Sequence, residues 1–350
     1  MNFSLFYLPS YRPTVAPSLT HFYEEMTDSV RLADRLGWTR VLTTEHHFHY
    51  YGGAVPNPAV ILAAWARETR RIKLAAGVSL VPLRHPLQVA EDYAMVDQLS
   101  GGRFEMGLAR GFVPHEYEAF GVPLAETAER VTEAIDILQR FWAGEPFAYD
   151  GKFHRFPRIE PWPLPKQARI PIWIAASNDR LSFERAGAAG LRLMMNQYPM
   201  PYQSLVEKHE VYKTAYAAAG HSIADRQSGV AFMTYIAATE EEALAQARAA
   251  LQEHASSMLK VLTHDEWNRD YAGDPGTLLA MADGGPEINT FRNRTMICTA
   301  TQAIERLRRY KALGFTEAIF VCRFGDLSAA QCLETIERLD RDVRPYLGGD

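Results

Sequence analysis

An α/β fold, a (β/α)8 TIM barrel with insertions, is the architecture this sequence predicts. Three observations lead there. Short apolar strand-like runs alternate with helical periods of about 3.6 residues along the chain. The alternation reaches eight strands, the number at which a parallel sheet closes on itself. A cluster of one Glu and three His, Glu45, His46, His47 and His49, falls just past the second strand, where barrel enzymes place their chemistry.

The elements follow in order. Residues 2–8 read as the first strand and 22–36 as the first helix. Residues 40–44 form strand two. Asn57-Pro58 opens the next helix: Asn accepts from free backbone donors, and Pro at the first position has no N–H to leave unsatisfied. Strand three spans 73–80, and the helix over 87–99 stops at Gly101-Gly102. Strand four is 104–109, followed by a helix over 130–142. Strands five and six are 171–176 and 191–196, with helices over 181–189 and 203–219. Strand seven is 230–237, and 240–254 is helical. A helix over 301–313, strand eight over 317–321 and a helix over 328–341 complete the series. Two segments break the alternation. Residues 146–168, rich in Pro and aromatics, read as a hairpin; residues 256–297, rich in Gly, Pro, Asn and Asp, read as a candidate lid. No linker divides the chain, so residues 1–350 are expected to be one domain.

Composition bounds the function. The chain has 350 residues, 47% of them apolar, and a net charge of -5. It carries no basic cluster, which disfavours nucleic acid and anionic membrane as partners. Cys298, Cys322 and Cys332 are odd in number and lack C-x-x-C spacing, as suits a reducing compartment. No apolar stretch approaches a membrane span, and Pro9 interrupts the apolar start, so a soluble cytoplasmic protein is expected.

Four constellations carry candidate chemistry. If strand two continues, Glu45, His47 and His49 share one face and His46 takes the other. General acid–base use suits imidazoles that titrate near neutrality. The competing readings are packed imidazoles, or a metal pair at His47-Phe48-His49, for which strands five and six offer no further ligand. Small residues at Ala75-Ala76-Gly77-Val78 either admit a flat ligand or relieve a crowded barrel interior. Arg110, just past strand four, suits a phosphate or carboxylate, or else a surface salt bridge. Ser177-Asn178 and Ser182 begin a helix, as an anion cradle, as simple capping, or as both. No P-loop and no G-x-G-x-x-G is present.

Together, Glu45-His46-His47-Phe48, Asn57-Pro58, residues 78–86, and Asp97-Gln98-Leu99-Ser100 through Gly102-Arg103-Phe104 to Arg110-Gly111 resemble the bacterial luciferase-like flavin-dependent monooxygenase family, in order and over most of the chain. The resemblance implies a homodimeric, interrupted barrel that binds reduced FMN at its carboxyl end and holds no metal. It implies a two-component enzyme, supplied with reduced FMN by a separate flavin reductase, that oxygenates a small organic substrate through a flavin peroxide. His46 matches the family's catalytic histidine, with Glu45 or His47 tuning it. Gly77 and Val78 match the wall beneath the flavin, including a non-prolyl cis peptide between them. Ala109 stands where luciferase has a reactive cysteine. Arg110, Ser177, Asn178 and Ser182 match the phosphate site; Asn196 and Gln197 fall where the family has a polar and an aromatic flavin contact. Two other readings stay open: a deazaflavin-dependent hydride-transfer enzyme on the same fold, and a non-catalytic flavin-binding relative. Thr299-Ala300-Thr301 replaces a common Gly-Thr-Pro, and the preceding segment, with Arg292 and Arg294, is shorter than in luciferase. The substrate and light emission therefore do not follow from the resemblance.

Overall fold

The computed structural model describes residues 1–177, 179–198, 200–263 and 294–348. Eight parallel strands close into a ring: β1 (Asn2–Tyr7), β2 (Arg40–Thr43), β3 (Lys73–Ala76), β4 (Phe104–Leu108), β7 (Ile172–Ala175), β8 (Arg192–Asn196), β9 (Ser228–Ala237) and β11 (Glu317–Val321), with β11 pairing back onto β1. These are the eight strands the alternation predicts. Between β4 and β7, β5 (Phe147–Asp150) and β6 (Arg155–Ile159) form a separate antiparallel pair.

The helices begin and end where local chemistry says they should. Ser18 caps α1 (Leu19–Leu36) by accepting from His21 N–H, and Gly37 closes it in the left-handed region at φ 73°. Asn57 caps α2 (Pro58–Glu68), with Pro58 in the first turn. Gly101, also at φ 73°, ends α3 (Pro86–Ser100). The barrel is further surrounded by α4 (Pro114–Ala119), α5 (Thr127–Ala143), α6 (Arg180–Ala188), α7 (Tyr202–Ala218), α8 (Glu240–Thr263), α9 (Ala300–Ala312) and α10 (Ala329–Arg338).

Apolar side chains divide into two clusters. The larger lies between the strands and the helices and holds Leu62, Trp65, Tyr93, Phe104 and Phe232. Each buried side chain of this kind contributes roughly 1.5–3 kcal/mol. The second fills the barrel interior and its carboxyl mouth. It joins Phe6, Leu42, Ala75, Met194 and Ala231 to Tyr51, Tyr198, Phe324 and one face of α8.

The opposite mouth is plugged by charge. Arg40, the first residue of β2, pairs with Glu317 of β11 and, at 3.0 Å, with Glu105 of β4. Glu105 also takes Arg192 and Lys73, both at 2.9 Å, and the Trp173 indole N–H at 2.7 Å. Burial alone would raise the Glu105 pKa, but the surrounding Arg40, Arg192 and Lys73 charges hold it at about 2.

The structure differs from the sequence expectations in four places. The strand pairing of β3 stops at Ala76, and only a bridge from Ser79 to Leu108 continues it. α4, six residues long, was not expected. α8 runs past His254 to Thr263, so the start of the expected lid is helix. An extra strand, β10 (Met296–Thr299), pairs with Thr234–Ala237, the far half of the ten-residue β9, where β8 and β11 have diverged from it. The rest of the expected lid, residues 264–293 with Arg292, lies outside the described residues. Among the described residues no helix is long and apolar enough to cross a membrane.

Candidate active site

The chain leaves β2 at Thr43 and turns at once, so strand alternation does not carry through the histidines. Phe48 sits at φ 67°, a left-handed conformation unusual for a bulky residue. This turn overturns the expected faces: His46 and His49 meet on one side, and His47 joins Glu45 on the other.

Both groups are built around a buried carboxylate. One oxygen of Glu116, on α4, accepts three N–H groups: His46 Nδ1 at 3.0 Å, His49 Nε2 at 3.0 Å and the His47 amide at 2.7 Å. Burial would raise the Glu116 pKa; the hydrogen bonds from His46, His49 and the His47 amide outweigh it and hold it at about 2. The carboxylate is thus ionised and can only accept. His46 must carry its proton on Nδ1, which leaves Nε2 as the working nitrogen. Glu45 has a different task. It accepts Ser79 Oγ–H at 2.8 Å and Leu80 N–H at 3.1 Å, and pairs with His47 Nε2 at 3.2 Å, tying the end of β2 to the segment after β3. The expectation that Glu45 or His47 tunes His46 is therefore corrected: Glu116, on another element, holds that ring.

Close packing fixes the imidazoles. A Cβ added to Gly52 would lie 2.6 Å from His46 Cδ2, and one added to Gly53 would lie 2.1 Å from the His49 carbonyl oxygen. The His46 ring also has Tyr51 at 5.4 Å and Phe112 at 5.7 Å. Ligand atoms of His46, His49 and Glu116 lie within 4.8 Å of one another, so the geometry admits a cation. The metal pairing considered from the sequence, His47 with His49, does not form. One Glu116 oxygen ties the trio together, while Glu116 Oε2 and His49 Nδ1 have no partner among the described residues.

Gly77 faces the interior: a Cβ there would come within 2.6 Å of Leu42 Cβ and 3.3 Å of the Phe6 ring. Val78 packs against the mouth cluster, and Ala109 against Leu80, Leu83 and Tyr117. The Gly77–Val78 bond is trans, contrary to the expectation from resemblance; the one cis peptide among the described residues is Trp162–Pro163. A non-prolyl cis bond costs about 3 kcal/mol. Here the trans link is flanked by Gly77 N–H to Thr43 O at 2.7 Å and Ser79 N–H to Gly107 O at 2.8 Å.

Arg110 leaves 49% of its side chain exposed, and its nearest anion is Asp179, at 3.9 Å. Its backbone is clamped: the Tyr117 hydroxyl donates to Arg110 O, beneath Gly111 at φ 73°. Asp179 caps α6, accepting Leu181 N–H at 3.1 Å and the Ser182 hydroxyl at 3.1 Å. Ser177 is exposed, and its carbonyl accepts from Lys208. Asn178 lies outside the described residues. Asn196 keeps its side chain near the mouth, accepting Tyr198 N–H at 3.1 Å. Gln197 does not face the mouth. Its amide donates to Met200 O at 2.5 Å and accepts the Tyr310 hydroxyl at 2.7 Å, in the layer between β8 and α9. Tyr198, one residue later, belongs to the mouth cluster.

With this geometry established, comparison with known proteins is informative. The sequence model for luciferase-like monooxygenases matches residues 1–317. The oxygenase component of the flavin-dependent trigonelline monooxygenase of Acinetobacter baylyi is 28% identical over 356 aligned residues, covering 99% of this chain and 95% of that protein. A monooxygenase structure from Streptomyces bottropensis superposes with a TM-score of 0.86 at 26% identity, covering 99% of this chain and all of the other. The FMN-bound oxygenating constituent of 3,6-diketocamphane monooxygenase from Pseudomonas putida shares the fold, with a TM-score of 0.79 at 20% identity, over 99% of this chain and 98% of the other. The chain belongs to the luciferase-like monooxygenase family, and it is a flavin-dependent monooxygenase.

Proposed function

We propose that this luciferase-like chain is the oxygenase half of a two-component system, binding reduced FMN at the carboxyl mouth of the barrel and oxygenating a small organic substrate there. The observation that carries this reading is His46, a buried imidazole held by the ionised Glu116 beside a small-residue wall, on the same rim as the half-exposed guanidinium of Arg110, which has only a long contact of 3.9 Å to Asp179 among the described residues.

The residues present fit such a cofactor. Arg110 and the hydroxyls of Ser177 and Ser182 offer a cation and donors for a phosphate at the start of α6. Asp179 is the group the phosphate would have to share them with. Gly77, Val78 and Ala109 would leave room for a planar ring, with Asn196 at its edge and Tyr198 against it. Bound reduced flavin supplies the electrons that activate dioxygen. His46 Nε2 takes or gives the proton that accompanies oxygen transfer, while Glu116 keeps its ring oriented and its Nδ1 protonated. Tyr51, Phe112 and the covering face of α8 exclude water from that nitrogen.

The relative from Acinetobacter baylyi is named as an oxygenase component, which supports a separate reductase partner. The resemblance also favours a homodimer, and the composition and cysteine usage a cytoplasmic setting.

Anaerobic titration with reduced FMN, followed by admission of oxygen, tests the reading. Saturable binding with oxygen uptake is expected. Saturation by a reduced deazaflavin instead, with hydride transfer and no oxygen uptake, would replace it by the hydride-transfer reading.

A further inference from the structure

The covering helix α8 presents a buried stripe of Ala243, Ala247, Ala250, Leu251, His254, Ala255, Met258 and Val261. One member of this stripe is ionisable. Such a stripe normally carries apolar residues, so His254 stands out. The helix is pinned where that residue sits. Arg12 pairs with Glu253 and, at 2.5 Å, with Asp326. Gly325, at φ 53°, lies so close to α8 that a Cβ there would come within 2.0 Å of Ala250 O. His254 is therefore held in place by contacts on both sides of its turn.

Its surroundings are aromatic. The ring lies 5.4 Å from Tyr51, 5.4 Å from Tyr198 and 6.4 Å from Phe324, centroid to centroid. Tyr51 is also 5.4 Å from His46, so the two imidazoles flank one phenol ring. His254 is 3% exposed, and its Nε2 has no hydrogen-bond partner among the described residues. Buried polar atoms almost always have partners, and an orphan at a ligand mouth implies one that arrives with the ligand. Burial lowers the His254 pKa to about 4, so the ring stays neutral near pH 7.

We propose that His254 is a substrate-recognition residue: its Nε2 receives the hydroxyl or carbonyl of a ring-shaped organic substrate whose flat body lies against Tyr51 and Tyr198, beside His46. This rests on the flavin-oxygenase reading above and names the substrate class it acts on. A neutral imidazole among aromatic rings offers a hydrogen bond and flat apolar contact. It gives no charge complement to an anion or cation. His254 acts by holding the substrate, and His46 remains the proton-moving group.

Phenol and toluene test the idea, because they match in size and differ in one hydrogen-bonding group. Phenol can donate to an imidazole lone pair or accept from its N–H, so either tautomer of His254 is probed. Wild type, His254→Phe and His254→Gln are first titrated anaerobically with reduced FMN, then, flavin-loaded, with each probe. Equal flavin affinity in all three is expected. Wild type should bind phenol roughly tenfold more tightly than toluene, the size of one good hydrogen bond. The preference should vanish in His254→Phe and partly survive in His254→Gln. An unchanged preference in His254→Phe, no saturable phenol binding to wild type, or flavin affinity falling in step with phenol affinity would overturn the proposal. Failure of wild type to bind reduced FMN would appear in the first titration; it would end the flavin reading and the substrate role with it.

Discussion

The two mouths of the barrel bury charge in opposite ways. At the amino end, Glu105 and Glu317 face Arg40, and Glu105 also faces Arg192 and Lys73. The cations at this mouth are all Arg and Lys side chains. At the carboxyl end, Glu45 and Glu116 face histidines instead. Burial of this kind is costly at either mouth. The amino mouth gains a specified strand register from it; the carboxyl mouth gains a nitrogen poised for chemistry. Chemistry at the carboxyl face and stability at the other is the division expected of this fold.

Mutations should separate the two mouths. The largest effect is expected from Arg40→Met, which strands Glu105 and Glu317 without their shared cation. Stability should fall by about 3–5 kcal/mol in urea unfolding, while turnover per folded molecule stays near wild type. Next comes His46→Ala, expected to lower turnover by roughly 10²–10⁴-fold with reduced-FMN affinity nearly unchanged; equal loss of both would make His46 a packing residue. Glu116→Gln should lower turnover less and alter its pH profile. Arg110→Ala should weaken FMN by roughly 10–100-fold, in line with a lost charge-assisted contact, and riboflavin hardly at all. Equal weakening would reject the phosphate role.

Smaller effects sharpen the same contrast. Burial holds His254 at about 4 and His209, stacked on Phe315, at about 3. Both lie below the unfolded value of about 6.5. Between pH 6.5 and these values the unfolded chain binds protons that the native one refuses, so stability falls as pH falls. A loss of about 1.4 kcal/mol per pH unit per imidazole is expected, readable from Tm against pH, and His254→Phe should remove its share. Smallest of all, Asp179→Asn keeps a capping side chain but removes a negative charge near the phosphate site. FMN affinity should rise by a few-fold; a fall would show that Asp179 helps the site.

What could be read from the sequence was local. The strands were short apolar runs bounded by turn signals, and Asn57-Pro58 and Gly101 marked helix ends by their own chemistry. The histidine cluster was visible because it is contiguous. Its faces were not, because the left-handed turn at Phe48 is invisible to a period-two count. Glu116 was missed because it reaches His46 from 70 residues away, on a helix of six residues with no pattern around it. The side taken by Gln197 was not legible, because it lies just past the end of β8, where a period of two no longer applies. β10 escaped because Met296–Thr299 is only four residues long and sits in a segment otherwise rich in loop formers.

Gly52 and Gly53 bear on anyone who would redesign this enzyme. They lie next to Tyr51, an obvious position to randomise when seeking new specificity. Any side chain at Gly52 runs into the imidazole of His46, and any at Gly53 into the main chain of His49. A library spanning this stretch would thus fill with inactive clones, whatever chemistry they were meant to select. Diversity belongs at Tyr51 and Phe112, with the two glycines held invariant.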